Sequence, residues 1–231
     1  MNIHAFIFTY EVDRELVRHA ANRLLDAGMS VTCVWDKAVP ECATRAIPRG
    51  THRPSTFPRK GNLNGMACLM GMYDLFCSVP READWVVKVD ADTLIRNAFV
   101  RRLAGSQNDA EGAYHMHTQE RWWGAAYALR PATCKKAKAF AEKAILLGGV
   151  PEDRTTGEIL DRMEAKKSSA PGGWIHYGAK EWWENPDADV LHFGDVRNIP
   201  APYFYVRQRK EYIGRRMRDF MYADPDMIPL A

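Results

Sequence analysis

Apolar residues in this chain fall into short continuous runs separated by longer stretches of helical spacing. Residues 3–10 (IHAFIFTY) form the first run and 30–35 (SVTCVW) the second. Between them Leu16, Val17, Ala20, Ala21, Leu24 and Leu25 recur at three- and four-residue intervals, and Gly28 closes the segment. Short apolar runs read as strands buried on both faces, and the wider spacing reads as a helix with one buried stripe. Strand, helix and strand in succession make a βαβ unit, hence a parallel pair joined by a right-handed crossover.

The same grammar continues along the chain. Residues 62–77, 94–103, 132–147, 155–165 and 209–221 are predicted helical, and 111–117, 174–178 and 190–193 are predicted strands. Pro131 suits the first position of the helix that follows it. Residues 122–129 (WWGAAYAL) are apolar and interrupted by Gly124, and 168–173 read as a loop. Residues 37–61, with Pro40, Pro48, Pro54 and Pro58, read as one long connection, a kind of segment that is often functional. The alternation predicts a single α/β domain with a mixed central sheet flanked by helices.

One stretch stands out. Residues 84–93 (DWVVKVDADT) run as a buried strand and then end in two carboxylates, Asp90 and Asp92, separated only by Ala91. Residues two apart on a strand point the same way, so both acids are expected to face one point. Like charges that close raise each other's pKa unless a cation lies nearby, and a hard divalent metal suits oxygen ligands. The same residues also read as a strand end followed by a helix cap, with Asp92 or Thr93 serving the first turn of 94–103.

Composition narrows the field. The 231 residues are 46% hydrophobic and 26% charged, with 32 basic against 29 acidic side chains and a net charge of +3. That balance argues against nucleic-acid binding by bulk charge. No apolar run approaches the length of a membrane span, and the N-terminus carries no signal-peptide pattern. Five cysteines without close pairing (Cys33, Cys42, Cys68, Cys77, Cys134) read as reduced thiols, so cytoplasmic residence is the expectation.

Ligands of open α/β sheets bind outside the carboxyl ends of the strands. Three predicted strand ends are polar: Thr9-Tyr10-Glu11, Asp36, and Asp90-Ala91-Asp92. Together they suit a nucleoside diphosphate, with Tyr10 stacking on the base and Asp36 taking base or ribose donors. Each is equally a strand end reaching solvent. Arg59-Lys60-Gly61-Asn62 precedes a predicted helix, where basic groups and free amides favour phosphate, though a solvated charged turn reads the same. His192 is a candidate ligand or a structural histidine, and His115 and His117 have ligand spacing on one strand face. Trp122-Trp123 and Trp182-Trp183 are candidates for sugar stacking or for core. Glu152-Asp153 offers a carboxylate for general base catalysis, or simply a negative charge at a helix start.

Four of these segments occur in a familiar order: Val89-Asp90-Ala91-Asp92-Thr93, then Gly124-Ala125-Ala126-Tyr127-Ala128-Leu129, then Pro151-Glu152-Asp153-Arg154-Thr155-Thr156-Gly157, then Leu191-His192-Phe193-Gly194. The order resembles DxD-containing glycosyltransferases of the GT-A (Rossmann-like) fold, most of all the inverting fringe and β-1,3-galactosyltransferase type. The resemblance spans about residues 3–198 and departs from the type at Ala125 and Ala126, where glycines are common. It implies Mn²⁺ or Mg²⁺ held by Asp92, His192 and Asp90, and Asp153 as the catalytic base. The donor implied is a UDP- or GDP-sugar, held by Thr9, Tyr10, Glu11, Asp36, Arg59, Lys60, Asn62, Asp90, Ala91, Trp123 and Gly124. The acceptor implied is a carbohydrate or glycoconjugate. Residues 1–105 would form the nucleotide-sugar half and 106–231 the acceptor half. A retaining glycosyltransferase and a sugar-nucleotidyltransferase are the alternatives. The latter usually has a glycine-rich loop after the first strand, where this chain reads Thr9-Tyr10-Glu11-Val12-Asp13.

Overall fold

The computed structural model describes residues 1–9, 13–35, 50–55, 65–114, 122–143, 151–176, 182–194 and 206–229. The first βαβ unit is β1 (Ile3–Thr9), α1 (Arg14–Asp26) and β2 (Ser30–Trp35), with β1 and β2 parallel. Then come β3 (Thr51–Pro54), α2 (Met66–Cys77), β4 (Trp85–Asp90), β5 (Thr93–Ile95) and α3 (Asn97–Gly105). The second half holds β6 (Ala110–Tyr114), β7 (Trp122–Leu129), α4 (Pro131–Lys143), α5 (Glu152–Arg162), β8 (Lys167–His176), β9 (Trp182–Glu184), β10 (Val190–His192) and α6 (Val206–Ala223).

All ten strands join one sheet in the order β3-β2-β1-β4-β7-β6-β8-β10-β5, with β9 paired to β8. The pairs from β3 to β4 are parallel, β7 runs antiparallel to both its neighbours, and β5 is antiparallel to β10. Side chains alternate between two cores. Ile3, Ala5 and Ile7 of β1 pack with Trp85, Val87 and Val89 of β4 against α1, α3 and α6. Phe6 and Phe8 pack with Val86 of β4 against α2, α4 and α5. Because β1 and β4 are covered on both faces, they read in the sequence as continuous apolar runs.

Three expectations need correction. The strand predicted over 84–93 ends at Asp90, turns at Ala91-Asp92, and resumes as β5. The β-formers Thr93-Leu94-Ile95 pair with Val190-Leu191-His192 of β10, so the helix expected from Leu94 starts only at Asn97. Residues 168–173, expected as a loop, lie within β8, which is parallel to β6 and β10. Their glycines mark close approach, not a turn. A Cβ on Gly173 would overlap the Asn185 carbonyl oxygen and lie 2.8 Å from Leu191 Cδ2. Lastly, the long connection over 37–61 contains β3, an edge strand that tolerates Pro54.

We predict that Gly173→Ala destabilises the fold by roughly 1–3 kcal/mol, the usual cost of forcing a methyl group into a packed site. A urea titration measures it, and an unchanged midpoint would show that the β8–β10 contact is slack.

Candidate active site

The site is assembled at the end of β4, where the apolar face of the strand gives way to charge. Val86, Lys88 and Asp90 alternate onto the face covered by α2, α4 and α5. Lys88 is 2% exposed, and its ammonium lies 2.6 Å from Asp90 Oδ1 and 3.1 Å from Glu152 Oε1. It also donates to the Gly124 carbonyl. Burial opposes the charge on Lys88, but the two carboxylates outweigh it and hold the ammonium well above the ordinary lysine range. So the positive group that a buried acid requires is built into the same strand, two residues upstream.

Asp92 lies past the strand end, on the other side of the turn. The register of β5 on β10 pairs Thr93 with His192, and Phe193 N–H donates to the Asp92 carbonyl at 2.8 Å. His192 Nδ1 is 3.1 Å from Thr93 Oγ1 and 3.4 Å from Asp92 Oδ1, with the Trp174 ring edge-on to the imidazole at 5.0 Å. One ligand atom each from Asp90, Asp92 and His192 lies within 4.8 Å of the others. Gly194 closes this group, since a Cβ there would overlap the Asp92 carboxylate and sit 3.2 Å from His192 Nε2. Carboxylate oxygens with one imidazole suit Mn²⁺ or Mg²⁺, and the backbone at Gly194 leaves the carboxylate its room.

The two aspartates sit in different fields. Burial raises Asp90 against the pull of Lys88, although the side chain keeps 32% of its exposure and water moderates the effect. Burial would raise Asp92 too, but His192, Lys210, its own backbone amide and Lys88 hold it below the usual carboxylate range. Lys210 reaches the site from α6 and lies 2.9 Å from Asp13 Oδ1, ahead of α1. Burial pushes Asp13 up in spite of Lys210, and the negative Asp92 and Asp90 add to that.

The second acidic pair opens α5. Glu152 is buried against Lys88, and burial carries its carboxyl up to about 7, with Asp153 and Asp90 adding to the rise. Asp153 is half-buried and packs on Gly124, where a Cβ would meet its Oδ2 at 3.0 Å and its Cγ at 3.2 Å. Gly124 therefore touches both constellations. Its carbonyl receives Lys88, and its missing side chain makes room for Asp153.

Of the residues expected from sequence, the structure brings together Asp90, Asp92 and His192, with Ala91 buried in the turn between the acids. Asp153 and Gly124 are in contact. Thr9 is buried at the carboxyl end of β1, one residue past the pairing of Phe8 with Asp90. Tyr10, Glu11, Asp36, Arg59, Lys60 and Asn62 lie outside the described residues, as do His115 and His117 and the side chains of Trp122, Trp123, Trp182 and Trp183. Lys88, the burial of Glu152 and the Asp13–Lys210 pair are features of the site absent from the sequence expectations. The signal for Lys88 was present, since a lysine inside an otherwise apolar central strand must have a partner.

The sequence matches no protein-family model and no curated protein. Solved structures share its fold. The galactosyltransferase LgtC, solved with donor and acceptor sugar analogs, superposes with a TM-score of 0.53 at 10% identity over 94% of this chain and 96% of that one. Mouse xyloside xylosyltransferase 1 gives 0.54 at 10% identity over 87% of this chain and 100% of that one. The 4-diphosphocytidyl-2C-methyl-D-erythritol synthase of Anaerococcus prevotii gives 0.55 at 9% identity over 94% and 98%. The chain thus has a GT-A-like, Rossmann-like fold. No described helix is long and apolar enough to cross a membrane.

A pH dependence follows from Glu152. Its folded carboxyl titrates near 7 against an ordinary 4.5, so the native state keeps a proton that the unfolded chain gives up. That contribution to stability is complete below pH 4.5, is lost as pH rises to about 7, and is flat above. We predict that Glu152→Gln removes a loss on the order of 1–3 kcal/mol across this window. Denaturant midpoints for both proteins at several pH values test it. Parallel curves would mean that Glu152 is ionised throughout.

Proposed function

We propose that the protein is a metal-dependent glycosyltransferase. It moves a sugar from a UDP- or GDP-sugar to a hydroxyl of a carbohydrate or glycoconjugate, with inversion. The observation that carries this reading is the convergence of Asp90, Asp92 and His192 at the carboxyl end of β4, with the Asp153 carboxylate across Gly124. Ligands of open α/β sheets bind at that end, and the fold is shared with a galactosyltransferase and a xyloside xylosyltransferase.

In this reading Asp92, His192 and Asp90 hold Mn²⁺ or Mg²⁺. The bound ion would stabilise negative charge on the departing nucleoside diphosphate. Thr93 contacts the His192 ring at Nδ1 and so helps to orient the imidazole toward the two aspartates. Ala91, Trp123 and Gly124 are assigned to the donor site. Thr9, Tyr10, Glu11, Asp36, Arg59, Lys60 and Asn62 complete the donor site of the 1–105 half. Asp153, from the 106–231 half, takes the proton of the acceptor hydroxyl as its oxygen attacks the anomeric carbon. The described cysteines Cys33, Cys68, Cys77 and Cys134 form no disulfide, which fits a reducing, cytoplasmic setting.

The shared fold of a diphosphocytidyl-erythritol synthase favours one alternative, a sugar-nucleotidyltransferase. The products separate the two. Sugar transfer releases UDP or GDP, whereas nucleotidyl transfer from a nucleoside triphosphate releases pyrophosphate.

Two mutations test the assignment. Asp92→Ala is expected to abolish Mn²⁺-dependent binding of UDP or GDP in calorimetry while the fold persists, because Asp92 lies in a turn outside both cores. Unchanged metal-dependent affinity would end the metal assignment. Asp153→Asn is expected to cut transfer by ~10²–10⁴-fold with donor affinity nearly unchanged, the usual loss on removing a general base. Near-normal transfer, or a product that keeps the donor's anomeric configuration by NMR, would point to a retaining enzyme.

A further inference from the structure

One buried ammonium touches three separate pieces of this site, and the transfer chemistry assigns it no role. Lys88 contacts Asp90 on β4, the Gly124 carbonyl on β7 and Glu152 at the start of α5. Asp90 belongs to the metal cluster, and Asp153 is the residue after Glu152. The start of α5 is also tied by Thr155 donating to the Pro151 carbonyl and by the Tyr73 hydroxyl donating to Thr156 Oγ1, but neither contact holds the Glu152 side chain. The helix N-cap, Pro151, offers no side-chain hydrogen bond, and Glu152 Oε2 has no partner among the described residues. The Glu152 carboxylate is thus anchored through one oxygen, to Lys88. Asp153 in turn lies against the Gly124 backbone, whose carbonyl that ammonium also holds.

We propose that Lys88 is a positioning residue that sets the spacing between the metal-holding carboxylates and the base-bearing turn of α5. This rests on the transfer reading above. The ammonium has two effects that can be measured separately. Toward Asp90 it acts as a resident cation that a divalent ion must share the carboxylate with, so it weakens metal binding. Toward Glu152 it acts as a peg, so that Asp153 faces the acceptor from one place. Misplacing a reacting group by about an ångström costs on the order of 10²-fold in rate.

The test compares Lys88→Met with the double variant Lys88→Met/Glu152→Leu, which replaces the buried pair with apolar side chains that a core accepts. Electron paramagnetic resonance of free Mn²⁺ reads metal affinity. Hydrogen exchange of the 156–160 amides reads the docking of α5. Steady-state kinetics read transfer. The expected result for Lys88→Met is Mn²⁺ binding about tenfold tighter, as a neighbouring positive charge is withdrawn. Faster exchange at the start of α5 should accompany it, with kcat lower by about 10²-fold and the donor KM within about threefold. The double variant is expected to regain thermal stability and keep the kcat defect.

A merely structural lysine gives a different pattern: the double variant would recover both stability and kcat. That result overturns the proposal, as does Lys88→Met with unchanged Mn²⁺ affinity and unchanged α5 exchange, or unfolding of both variants. If the wild-type protein transfers no sugar, the glycosyltransferase reading falls. The metal and exchange measurements then still decide whether Lys88 joins the two acidic sites.

Discussion

The arrangement depends on a charge that has no access to bulk water. Lys88 sits in a strand covered on both faces, and its ammonium is held between Asp90 of its own strand and Glu152 of α5. Such a pair adds little net stability over an apolar pair, but breaking it from one side leaves a buried charge at a cost of roughly 3–5 kcal/mol. The chain can therefore close only when β4, β7 and α5 come together in one register. The Lys88–Tyr127 pairing across β4 and β7 and the docking of Glu152 are parts of a single constraint.

A second constraint acts on the other side of the turn. His192 is far from Asp92 in sequence and reaches it only because three residues of β5 pair with three of β10. β10 is in turn held by β8, and Gly173 allows the strands to approach that closely. The convergence of Asp90, Asp92 and His192 thus rests on small residues at two levels, Gly173 beneath the ladder and Gly194 beside the carboxylate of Asp92. Neither presents a functional group, and both sites would lose their shape to a single methyl.

Much of this was legible because strand burial leaves a plain signature. β1, β2 and β4 were readable from apolar runs, and α1 from its three-to-four spacing. The acids Asp90 and Asp92 were readable because an apolar strand rarely ends in two carboxylates without cause. What failed was reading by residue type. Glycine, serine and proline over 168–173 suggested a loop, whereas tertiary pairing made a strand of them. The rule that residues two apart share a strand face was right but applied one step too far along. It joins Lys88 to Asp90, while Asp92 converges with Asp90 because the chain turns at Ala91. Contacts such as Asp13 with Lys210 bring together opposite ends of the chain, and local spacing carries no trace of them.

The turn at Ala91 is therefore more than a spacer between two acids. On one side of it Asp90 belongs to the layer of α2, α4 and α5 through Lys88 and Glu152. On the other side Asp92 feels Lys210, which α6 supplies from the layer of α1, α3 and α6. One ammonium, Lys88 on β4, thus stands beside Asp90 and another, Lys210 on α6, acts on Asp92; both favour the ionised acids, but burial outweighs Lys88 at Asp90 and is outweighed at Asp92. Asp92 is kept as a full carboxylate, the form that a metal requires. Asp90 is shared between an internal cation and whatever approaches from solvent. A small buried residue at position 91 is what lets both reach the same point, since a larger side chain there would press into the core that α1 and α6 cover.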